Sequence, residues 1–240
     1  MKAMLFAAGL GTRLGAITAS RPKALVEVCG EPMLGRVLRK LQGAGVTEVV
    51  VNVHHFADMV EQWLAENTPA GMTVRISDER KKLLDTGGGL LHARPLLEGP
   101  EPVLLHNVDI LSDLPLNDVE LEGDATLMVS QRESSRQLVF GPDMRLTGWV
   151  NLTTGETKGD ASGLRRAFSG IHVVSGNIFD ALQRYADQKG SDIFSLTPFY
   201  VDMARELRIY GREMPAETRW FDIGKPASLA AAERSLCADC

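Results

Sequence analysis

Residues 2–14 read Lys-Ala-Met-Leu-Phe-Ala-Ala-Gly-Leu-Gly-Thr-Arg-Leu, an apolar run that passes directly into a glycine-rich loop. The apolar part, residues 2–7, predicts a buried β-strand. Glycines at a strand end let backbone N–H groups approach a phosphate closely, and Arg13 adds a cation beside them. Arg21 and Lys23 follow about ten residues later. The stretch therefore predicts a phosphate site at a strand end; the alternative is an ordinary tight turn with solvated basic residues.

Two well-known phosphate-binding loops do not match this stretch. Gly9-Leu10-Gly11 fits the start of a dinucleotide-binding fingerprint, but Leu14 stands at the position of its third glycine. The next predicted strand ends at His54-His55, where that fingerprint needs an acidic ribose ligand. A Walker loop needs a Gly-Lys-Ser/Thr triplet, which does not follow. These mismatches disfavour a nicotinamide oxidoreductase.

The remaining sequence alternates short apolar runs with helical patterns, which is typical of an α/β fold with a parallel sheet. We predict strands at 2–7, 48–53, 72–77, 102–106, 125–130, 138–140, 146–150, 168–174, 208–210 and 219–221. We predict helices at 32–43, 56–67, 86–97, 178–188, 196–206 and 227–236. The turn Gly141-Pro142-Asp143 indicates antiparallel hairpins in the middle of the chain. The expected architecture is a single domain over 1–240: a Rossmann-like three-layer sandwich with a mostly parallel mixed sheet and an antiparallel insertion.

Composition and charge exclude several classes of protein. The 240 residues include 26 Lys and Arg against 31 Asp and Glu, a net charge of -5 that argues against general binding to nucleic acid or anionic membranes. No apolar run reaches the roughly 18 residues that a membrane helix needs. The apolar N-terminus is short for a signal peptide and is followed by Arg13. Three cysteines, Cys29, Cys237 and Cys240, favour a reduced, cytoplasmic chain, and we expect Cys237 and Cys240 to lie in a frayed tail.

Six motifs in a fixed order resemble the sugar-1-phosphate nucleotidyltransferases. The first two are the loop Ala7–Leu14, written AAGLGTRL, and the pair Pro22-Lys23 that follows it. The others are Thr86-Gly87-Gly88, Asn107-Val108-Asp109, Phe168-Ser169-Gly170-Ile171 and Trp220-Phe221-Asp222-Ile223-Gly224. Each motif is weak alone, but their order over residues 3–224 is specific. The resemblance implies transfer of a nucleotidyl group from a nucleoside triphosphate to a sugar 1-phosphate, with Mg²⁺ as the cofactor and no general base.

The resemblance also implies roles for individual residues. Arg13 and Lys23 would hold the phosphates, and Asp109 and Asp222 would hold Mg²⁺; these four are the expected catalytic set. The expected nucleotide-binding residues are Ala8, Gly9, Gly11, Thr12, Arg13, Lys23, Glu79, Thr86 and Gly87. The expected sugar-binding residues are Gly88, Asn107, Ser169 and Gly170. Without the resemblance, Asp109 and Asp222 would be interpreted as a turn residue and a helix cap.

The chain departs from the family pattern at two places. Val108 stands where many members have glycine, and a β-branched residue there restricts the backbone and narrows the expected sugar pocket. The Glu-Lys-Pro triplet whose lysine binds the sugar phosphate is missing between residues 146 and 168. Lys158 is a distant candidate for that lysine, so the cation that holds the sugar phosphate is left open.

The sequence is most similar to the short family members that act as N-acetylmuramate-1-phosphate uridylyltransferases in cell-wall recycling, which share the run Thr86–Gly89. A mannose-1-phosphate guanylyltransferase-like enzyme is the alternative, and a choline-phosphate cytidylyltransferase is disfavoured. A catalytically inactive nucleotide-sensing domain is a further alternative, although such a domain has no need of a metal pair. The expected partners are a nucleoside triphosphate and a sugar 1-phosphate, with a monomer or small homo-oligomer in the cytoplasm.

Two other polar groups have weaker signals. His54 and His55 are adjacent at a strand end, where neighbouring side chains point to opposite faces, so we do not expect them to bind one metal ion. Ser134-Ser135-Arg136 lies beside the antiparallel strands, and contact with substrate or plain solvation explains it equally well.

Overall fold

A sheet of ten strands forms the centre of the computed structural model, which describes residues 1–237 of the chain. Two small two-stranded sheets accompany it. In chain order, the strands of all three sheets are β1 (Lys2–Phe6), β2 (Glu27–Val28), β3 (Glu31–Pro32), β4 (Glu48–Val53), β5 (Thr73–Asp78), β6 (Val103–Asn107), β7 (Ile110–Ser112), β8 (Ala125–Ser130), β9 (Arg136–Phe140), β10 (Leu146–Asn151), β11 (Thr157–Gly159), β12 (Leu164–Val174), β13 (Ile209–Glu213) and β14 (Trp220–Asp222). The small sheets are β2-β3 and β7-β14. The helices are α1 (Met33–Gly43), α2 (Ala57–Asn67), α3 (Asp85–His92), α4 (Arg94–Leu97), α5 (Ile178–Lys189), α6 (Leu196–Met203) and α7 (Pro226–Cys237).

The large sheet has a parallel part and an antiparallel part. Its order is β11-β10-β9-β12-β6-β1-β4-β5, with β8 beside β12 and β13 beside β8. β1 pairs in parallel with both β4 and β6, and β5 continues this parallel part. β12 runs antiparallel to β6, β8 and β9, and β9, β10 and β11 form the expected antiparallel insertion. The predicted α/β class with a mixed sheet is confirmed.

Two apolar cores, one on each face of the sheet, make the three layers. Alternate residues of β1 enter different cores: Ala3 and Leu5 face one, and Met4 and Phe6 face the other. The first core is closed by α1, α2 and α7, and the second by α3 to α6. This alternation follows from the two-residue period of a strand whose faces are both covered by helices.

The β7–β14 pair fixes the position of the charged residues. Asp222 is the register partner of Ile110, and the Ile223 amide donates to the Asp109 carbonyl at 3.0 Å. β1 and β6 are parallel neighbours and end at the same edge of the sheet. The glycine-rich loop after β1, Asp109 after β6 and Asp222 on β14 are therefore brought together.

Local structure differs from the prediction in one long segment. The helix expected over 86–97 is divided into α3 and α4 at Ala93, and Pro95 lies in the first turn of α4. Proline lacks the N–H that a continuous helix would use, which accounts for the division. None of the helices within residues 1–237 has the length and apolar character needed to cross a bilayer.

The cysteines differ in part from the expectation of three free thiols. Cys29, at the β2–β3 turn with a φ of 50°, is disulfide-bonded. The prediction of reduced thiols is therefore wrong for this residue. The tail role expected for Cys237 and Cys240 lies outside the described side chains.

Candidate functional site

Two cavities contain residues that the sequence singled out, and the first of them lies at the sheet edge where β1, β4 and β6 end. The first, here called the loop cavity, has a volume of about 350 Å³. Its walls are Phe6, Ala7, Ala8, Gly9, Lys23, Asn52, Glu79, Leu83, Asp85, Thr86, Asn107, Val108, Asp109 and Ile193. Six of the residues expected to bind nucleotide or metal therefore share one cavity with Asn107, which we expected to bind the sugar.

The glycine-rich loop is open on the side that faces the loop cavity. A Cβ added to Gly9 would meet no atom within 4 Å, so a ligand has room directly above this backbone. Gly11 has a φ of +67° and packs against Thr18, whose hydroxyl donates to the Gly11 carbonyl at 2.9 Å. Gly11 and Thr12 thus shape the turn and lie outside the wall of the cavity.

Asn52 anchors the loop from below, and sequence reasoning missed it. Its Oδ1 accepts hydrogen bonds from the amides of Ala7 and Ala8 at 2.7 and 3.3 Å. Its Nδ2 donates to Glu79 Oε1 at 2.7 Å, and Glu79 Oε2 accepts from the Leu84 amide at 3.1 Å. A buried asparagine inside the apolar strand β4 was the available signal, because buried polar side chains need partners.

Glu79 is almost fully buried, so its carboxyl group is held by this network rather than by water. Burial raises the pKa of Glu79, and the hydrogen bonds from Asn52 and Leu84 partly offset that rise. A wall residue of this kind supports the loop and presents a carboxyl oxygen at the base of the cavity.

Four charged side chains meet at the edge of the loop cavity. Lys23 forms an ion pair with Asp109, and both side chains are largely buried. Arg13 Nη2 lies 3.9 Å from Asp222 Oδ2. A Cβ added to Gly224 would lie 2.7 Å from Arg13 Nη2, 2.8 Å from Asp222 Oδ1 and 3.1 Å from Lys23 Nζ. Both ion pairs therefore border Gly224, and glycine at this position leaves room for them.

The Thr86-Gly87-Gly88 turn serves mainly to pack two segments together. The amides of Gly87 and Gly88 donate to the Phe194 carbonyl at 2.8 and 3.1 Å, and Thr86 Oγ1 accepts from the Leu196 amide. A Cβ on Gly88 would lie 1.9 Å from the Asp192 carbonyl oxygen. Thr86 lines the loop cavity, whereas Gly87 and Gly88 line neither that cavity nor the second one. The structure thus gives Gly88 a packing role, and its expected sugar contact stays a prediction.

The strand motif around Gly170 is also partly structural. Ser169 is fully buried; its hydroxyl accepts from the Ile171 amide, and its carbonyl accepts from Trp220 Nε1 at 2.9 Å. Gly170 has a φ of +80°, and a Cβ there would lie 2.9 Å from Asn107 Nδ2. Val108 packs into the core and also borders the loop cavity, so its expected narrowing of a sugar pocket stays a prediction. Only Asn107 of the expected sugar-binding residues lines the loop cavity.

The second cavity lies between α6 and one face of the antiparallel strands, and we call it the insert cavity. Its volume is about 370 Å³. The walls are Arg132, Ser134, Arg136, Leu138, Trp149, Glu156, Lys158, Phe168, Ser195, Thr197, Pro198 and Val201. Leu138, Trp149 and Lys158 form one cross-strand row of β9, β10 and β11. These walls contain three cations, Arg132, Arg136 and Lys158, and one carboxylate, Glu156. The insert cavity is therefore positively charged, although the whole chain has a net charge of -5.

Comparison with known proteins shows the family of this chain. The family model described as the MobA-like NTP transferase domain matches residues 3–195. The chain belongs to the MobA-like NTP transferase family. N-acetylmuramate alpha-1-phosphate uridylyltransferase from Caulobacter vibrioides is 35% identical over 98% of this chain and 96% of its own. The resemblance to the sugar-1-phosphate nucleotidyltransferases is confirmed, and this NTP transferase is an enzyme.

One further relative and one solved structure are also similar to this NTP transferase. Mannose-1-phosphate guanyltransferase beta-A from Xenopus laevis is 31% identical over 94% of the chain, which spans only 62% of that relative. A crystal structure described as a putative glucose-1-phosphate thymidylyltransferase from Bacillus anthracis superimposes with a TM-score of 0.80 at 17% identity, covering 98% of this chain and 94% of that one. The structural match supports the fold.

The paired carboxylates of this NTP transferase suit one class of metal ion. Within residues 1–237 no three His, Cys, Asp or Glu side chains are grouped to hold a metal ion. Mg²⁺ is usually held by one or two carboxylates together with substrate phosphates and water. Asp109 and Asp222, joined by the β7–β14 pairing, fit that requirement.

We call Arg13, Lys23, Asp109 and Asp222 the charged site of the NTP transferase. Arg21 and the pair His54-His55 lie outside it. Arg21 Nη1 lies 3.9 Å from Glu27 Oε1 on β2, and Arg21 does not line the loop cavity. His54 Nδ1 is hydrogen-bonded to the Glu79 carbonyl at 2.7 Å, and the ring of His55 packs on Phe56. The local reversal of charge at the N-terminus thus depends on Arg13 and Lys23.

Proposed function

We propose that this NTP transferase moves a nucleotidyl group from a nucleoside triphosphate to a sugar 1-phosphate, giving a nucleoside diphosphate sugar and pyrophosphate. The observation that carries the proposal is the meeting of Arg13, Lys23, Asp109 and Asp222 at the loop cavity. A nucleotide-binding loop alone needs cations; it does not need two carboxylates among them. Cations and carboxylates together match a reaction between two phosphates and a metal ion.

The reaction requires no general base. An oxygen of the sugar phosphate, already anionic near neutral pH, attacks the α-phosphorus of the triphosphate in line. The new bond joins that oxygen to the α-phosphorus, and the bond to the bridging oxygen breaks with departure of pyrophosphate. Catalysis then depends on alignment and on neutralisation of charge.

Each residue of the charged site has a distinct task in this proposal. Arg13, more than half exposed at the rim, holds the departing pyrophosphate. Lys23, largely buried beside Asp109, neutralises charge at the α-phosphate. The open backbone at Gly9 admits the triphosphate close to the loop amides.

Asp109 and Asp222 would hold Mg²⁺. When bound, the ion neutralises phosphate charge and fixes the relative orientation of the two substrates. Lys23 and Arg13 are the ion-pair partners of these carboxylates. Substrate phosphates give the two cations new anionic partners and free the carboxylate oxygens.

For the substrates, we propose N-acetylmuramate 1-phosphate and UTP. The whole-length relative at 35% identity supports this choice, as does the run Thr86–Gly89. N-acetylmuramate also carries a carboxylate, and Arg136 and Lys158 give the insert cavity positive charge to receive it. Since UTP is a cytoplasmic metabolite, the reaction belongs in the cytoplasm, in the supply of cell-wall precursors.

The alternative substrates are mannose 1-phosphate and GTP, favoured by the 31% identical relative. The test is release of pyrophosphate with Mg²⁺, measured for four nucleoside triphosphates against N-acetylmuramate, N-acetylglucosamine, mannose and glucose 1-phosphates. We expect the highest kcat/KM for UTP with N-acetylmuramate 1-phosphate, and a requirement for Mg²⁺ that EDTA reveals. Nucleotide binding without turnover for any pair would instead establish an inactive nucleotide-sensing domain.

A further inference from the structure

Arg132 is a cation that neither the family motifs nor the charged site explains. It follows β8 and lines the insert cavity. Its guanidinium carbon lies 3.9 Å from the centre of the Trp220 ring, within cation–π distance. Its Nη2 donates to the Phe168 carbonyl at 2.7 Å. The side chain is therefore held flat against the tryptophan of the Trp-x-Asp-x-Gly motif.

Trp220 is itself fixed in place. Its Nε1 donates to the Ser169 carbonyl at 2.9 Å, and β14 is paired with β7. Asp222 stands two residues further along β14, so Trp220 and Asp222 project from the same face of that strand. Arg132 interacts electrostatically with Asp222. These contacts place the guanidinium at the end of the insert cavity that is nearest to the charged site.

The charge of Arg132 is not balanced within the described protein. Arg132 has no ion-pair partner among residues 1–237, and its Nε is buried without an acceptor. Burial lowers the pKa of Arg132, although Asp222 partly opposes this. A half-buried cation with incomplete hydrogen bonding is costly, and an anion in the adjoining cavity would remove that cost.

Lys158, the residue suggested by the family pattern, has a different position. It lies on β11, an edge strand whose three residues are all exposed. Although Trp149 is its cross-strand neighbour, Lys158 makes no cation–π contact among residues 1–237, whereas Arg132 makes one with Trp220. A flexible lysine on the outer wall suits a substituent of the substrate far from the reacting phosphate.

We propose that Arg132, stacked on Trp220, binds the phosphate of the second substrate, in the place that the family pattern assigns to a lysine. The inference rests on the proposed function, because it takes that substrate to be a sugar 1-phosphate. Planar guanidinium groups bind phosphate oxygens in pairs, and stacking sets the plane in advance. Arg132 then determines that the acceptor must carry a phosphate, while the walls of the insert cavity select the sugar.

The experiment compares Arg132→Met, Arg132→Lys, Lys158→Met and a control, Arg165→Met. Arg165 is exposed on β12 and belongs to neither cavity, so its loss removes one charge from the same sheet. The readouts are separate KM values for UTP and for the sugar 1-phosphate. Calorimetric affinities for N-acetylglucosamine 1-phosphate and for phosphate-free N-acetylglucosamine complete the measurements.

We expect Arg132→Met to raise KM for the sugar 1-phosphate by about 10- to 100-fold, the loss typical of one charged hydrogen-bonding group, with KM for UTP within about twofold. Affinity for N-acetylglucosamine 1-phosphate should fall by a similar factor, whereas affinity for the phosphate-free sugar should not change. Arg132→Lys should recover part of the loss. Arg165→Met should behave as wild type.

Three results would overturn the assignment. The first is a larger rise in KM for the sugar 1-phosphate in Lys158→Met than in Arg132→Met. The second is an equal rise of the KM values for UTP and for the sugar 1-phosphate in Arg132→Met. The third is an equal loss of affinity in Arg132→Met for the phosphorylated and the phosphate-free sugars. If wild type turns over no substrate pair, the proposed function fails, but calorimetry still decides whether Arg132 binds the phosphate. If Arg132→Met does not fold, Arg132→Lys and Arg132→Gln are compared by the same measurements.

Discussion

Replacement of Asn52 by alanine tests whether the loop cavity is built from below by one side chain. Asn52 accepts from the Ala7 and Ala8 amides and donates to Glu79, and all four residues are buried. Alanine leaves the Ala7 amide without its 2.7 Å acceptor and leaves Glu79 with one protein donor, the Leu84 amide. The change thus acts on the loop backbone without touching any charged side chain that binds phosphate.

The magnitude follows from the groups left without partners. A buried donor or acceptor that loses its partner costs about 1–3 kcal/mol, and Asn52→Ala affects two strongly bonded groups. Water in the loop cavity satisfies part of this loss, so we expect about 2–4 kcal/mol of destabilisation. The same loosening of the loop amides should raise KM for the nucleoside triphosphate by about tenfold, because the loop must be ordered on binding.

Urea denaturation and steady-state kinetics measure the two effects. Asn67→Ala is the matched control, since Asn67 is an exposed asparagine that donates to the Trp63 carbonyl, and it should change stability by less than about 0.5 kcal/mol. Equal midpoints and equal KM values for Asn52→Ala and Asn67→Ala would refute the anchoring role.

Asn52→Asp separates anchoring from charge. It keeps an acceptor for the Ala7 and Ala8 amides but places a second carboxyl group against Glu79, whose pKa burial already raises. Two adjacent carboxyl groups share one proton, so the folded-state pKa of the pair lies above its unfolded value. Its contribution to stability is therefore present at low pH and lost as pH rises. A destabilisation that does not vary with pH would show that the carboxyl groups are not in contact.

Three further predictions concern metal binding, packing and acid stability. Asp222→Asn should lower kcat by at least about 100-fold at saturating Mg²⁺, whereas the exposed Asp143→Asn should leave kcat unchanged; pyrophosphate release measures both. Gly88→Ala should destabilise by about 1–3 kcal/mol or more in urea, because its Cβ meets the Asp192 carbonyl, whereas Gly43→Ala in open space should not. His172 is buried with a pKa lowered to about 3, so only the unfolded state gains its proton between about pH 6.5 and 3, and stability falls as pH drops. At pH 5.5 this contribution lowers the free energy of unfolding by about 1.4 kcal/mol. Urea midpoints at pH 7.5 and 5.5 measure the fall, and His172→Phe should lack this contribution.

The elements that could be predicted are those with a local pattern. The helices expected at 32–43 and 178–188 appear as Met33–Gly43 and Ile178–Lys189. Their apolar residues repeat at the helical period, and their ends carry the glycines of a turn. The hairpin expected at Gly141-Pro142-Asp143 joins β9 to β10. In each case neighbouring residues contain the whole signal.

The parts that could not be predicted depend on distant partners. β7 has three residues and no pattern of its own, and it is defined by pairing with β14 more than a hundred residues later. Arg132 lies in the irregular segment after β8 and belongs to no motif, and its proposed role depends on its packing against Trp220. Asn52 required a view of Glu79 and the loop amides together. Such residues gain their function from tertiary contacts that no window of sequence contains.

The glycine run shows a different limit, because one residue type serves two purposes. A glycine admits a ligand or admits another segment of chain, and the sequence is the same in both cases. Gly9 has open space above it, whereas Gly88 is filled by the Asp192 carbonyl. The family motif therefore identified both positions, and only the structure separated the ligand side from the packed side.

The ion pairs of the charged site bear on how the proposed substrates enter. Lys23 and Asp109 are largely buried, and either charge left alone there would be strongly unfavourable. Each therefore stabilises the other, as Arg13 and Asp222 do at the more exposed rim. A triphosphate without a metal ion would draw Lys23 away and leave Asp109 unpaired. A metal ion without phosphate would bind Asp109 and leave Lys23 unpaired. If Asp109 and Asp222 hold Mg²⁺ as proposed, entry of the triphosphate together with the ion would give all four charges new partners, and the proposed site would favour the metal–nucleotide complex over either component.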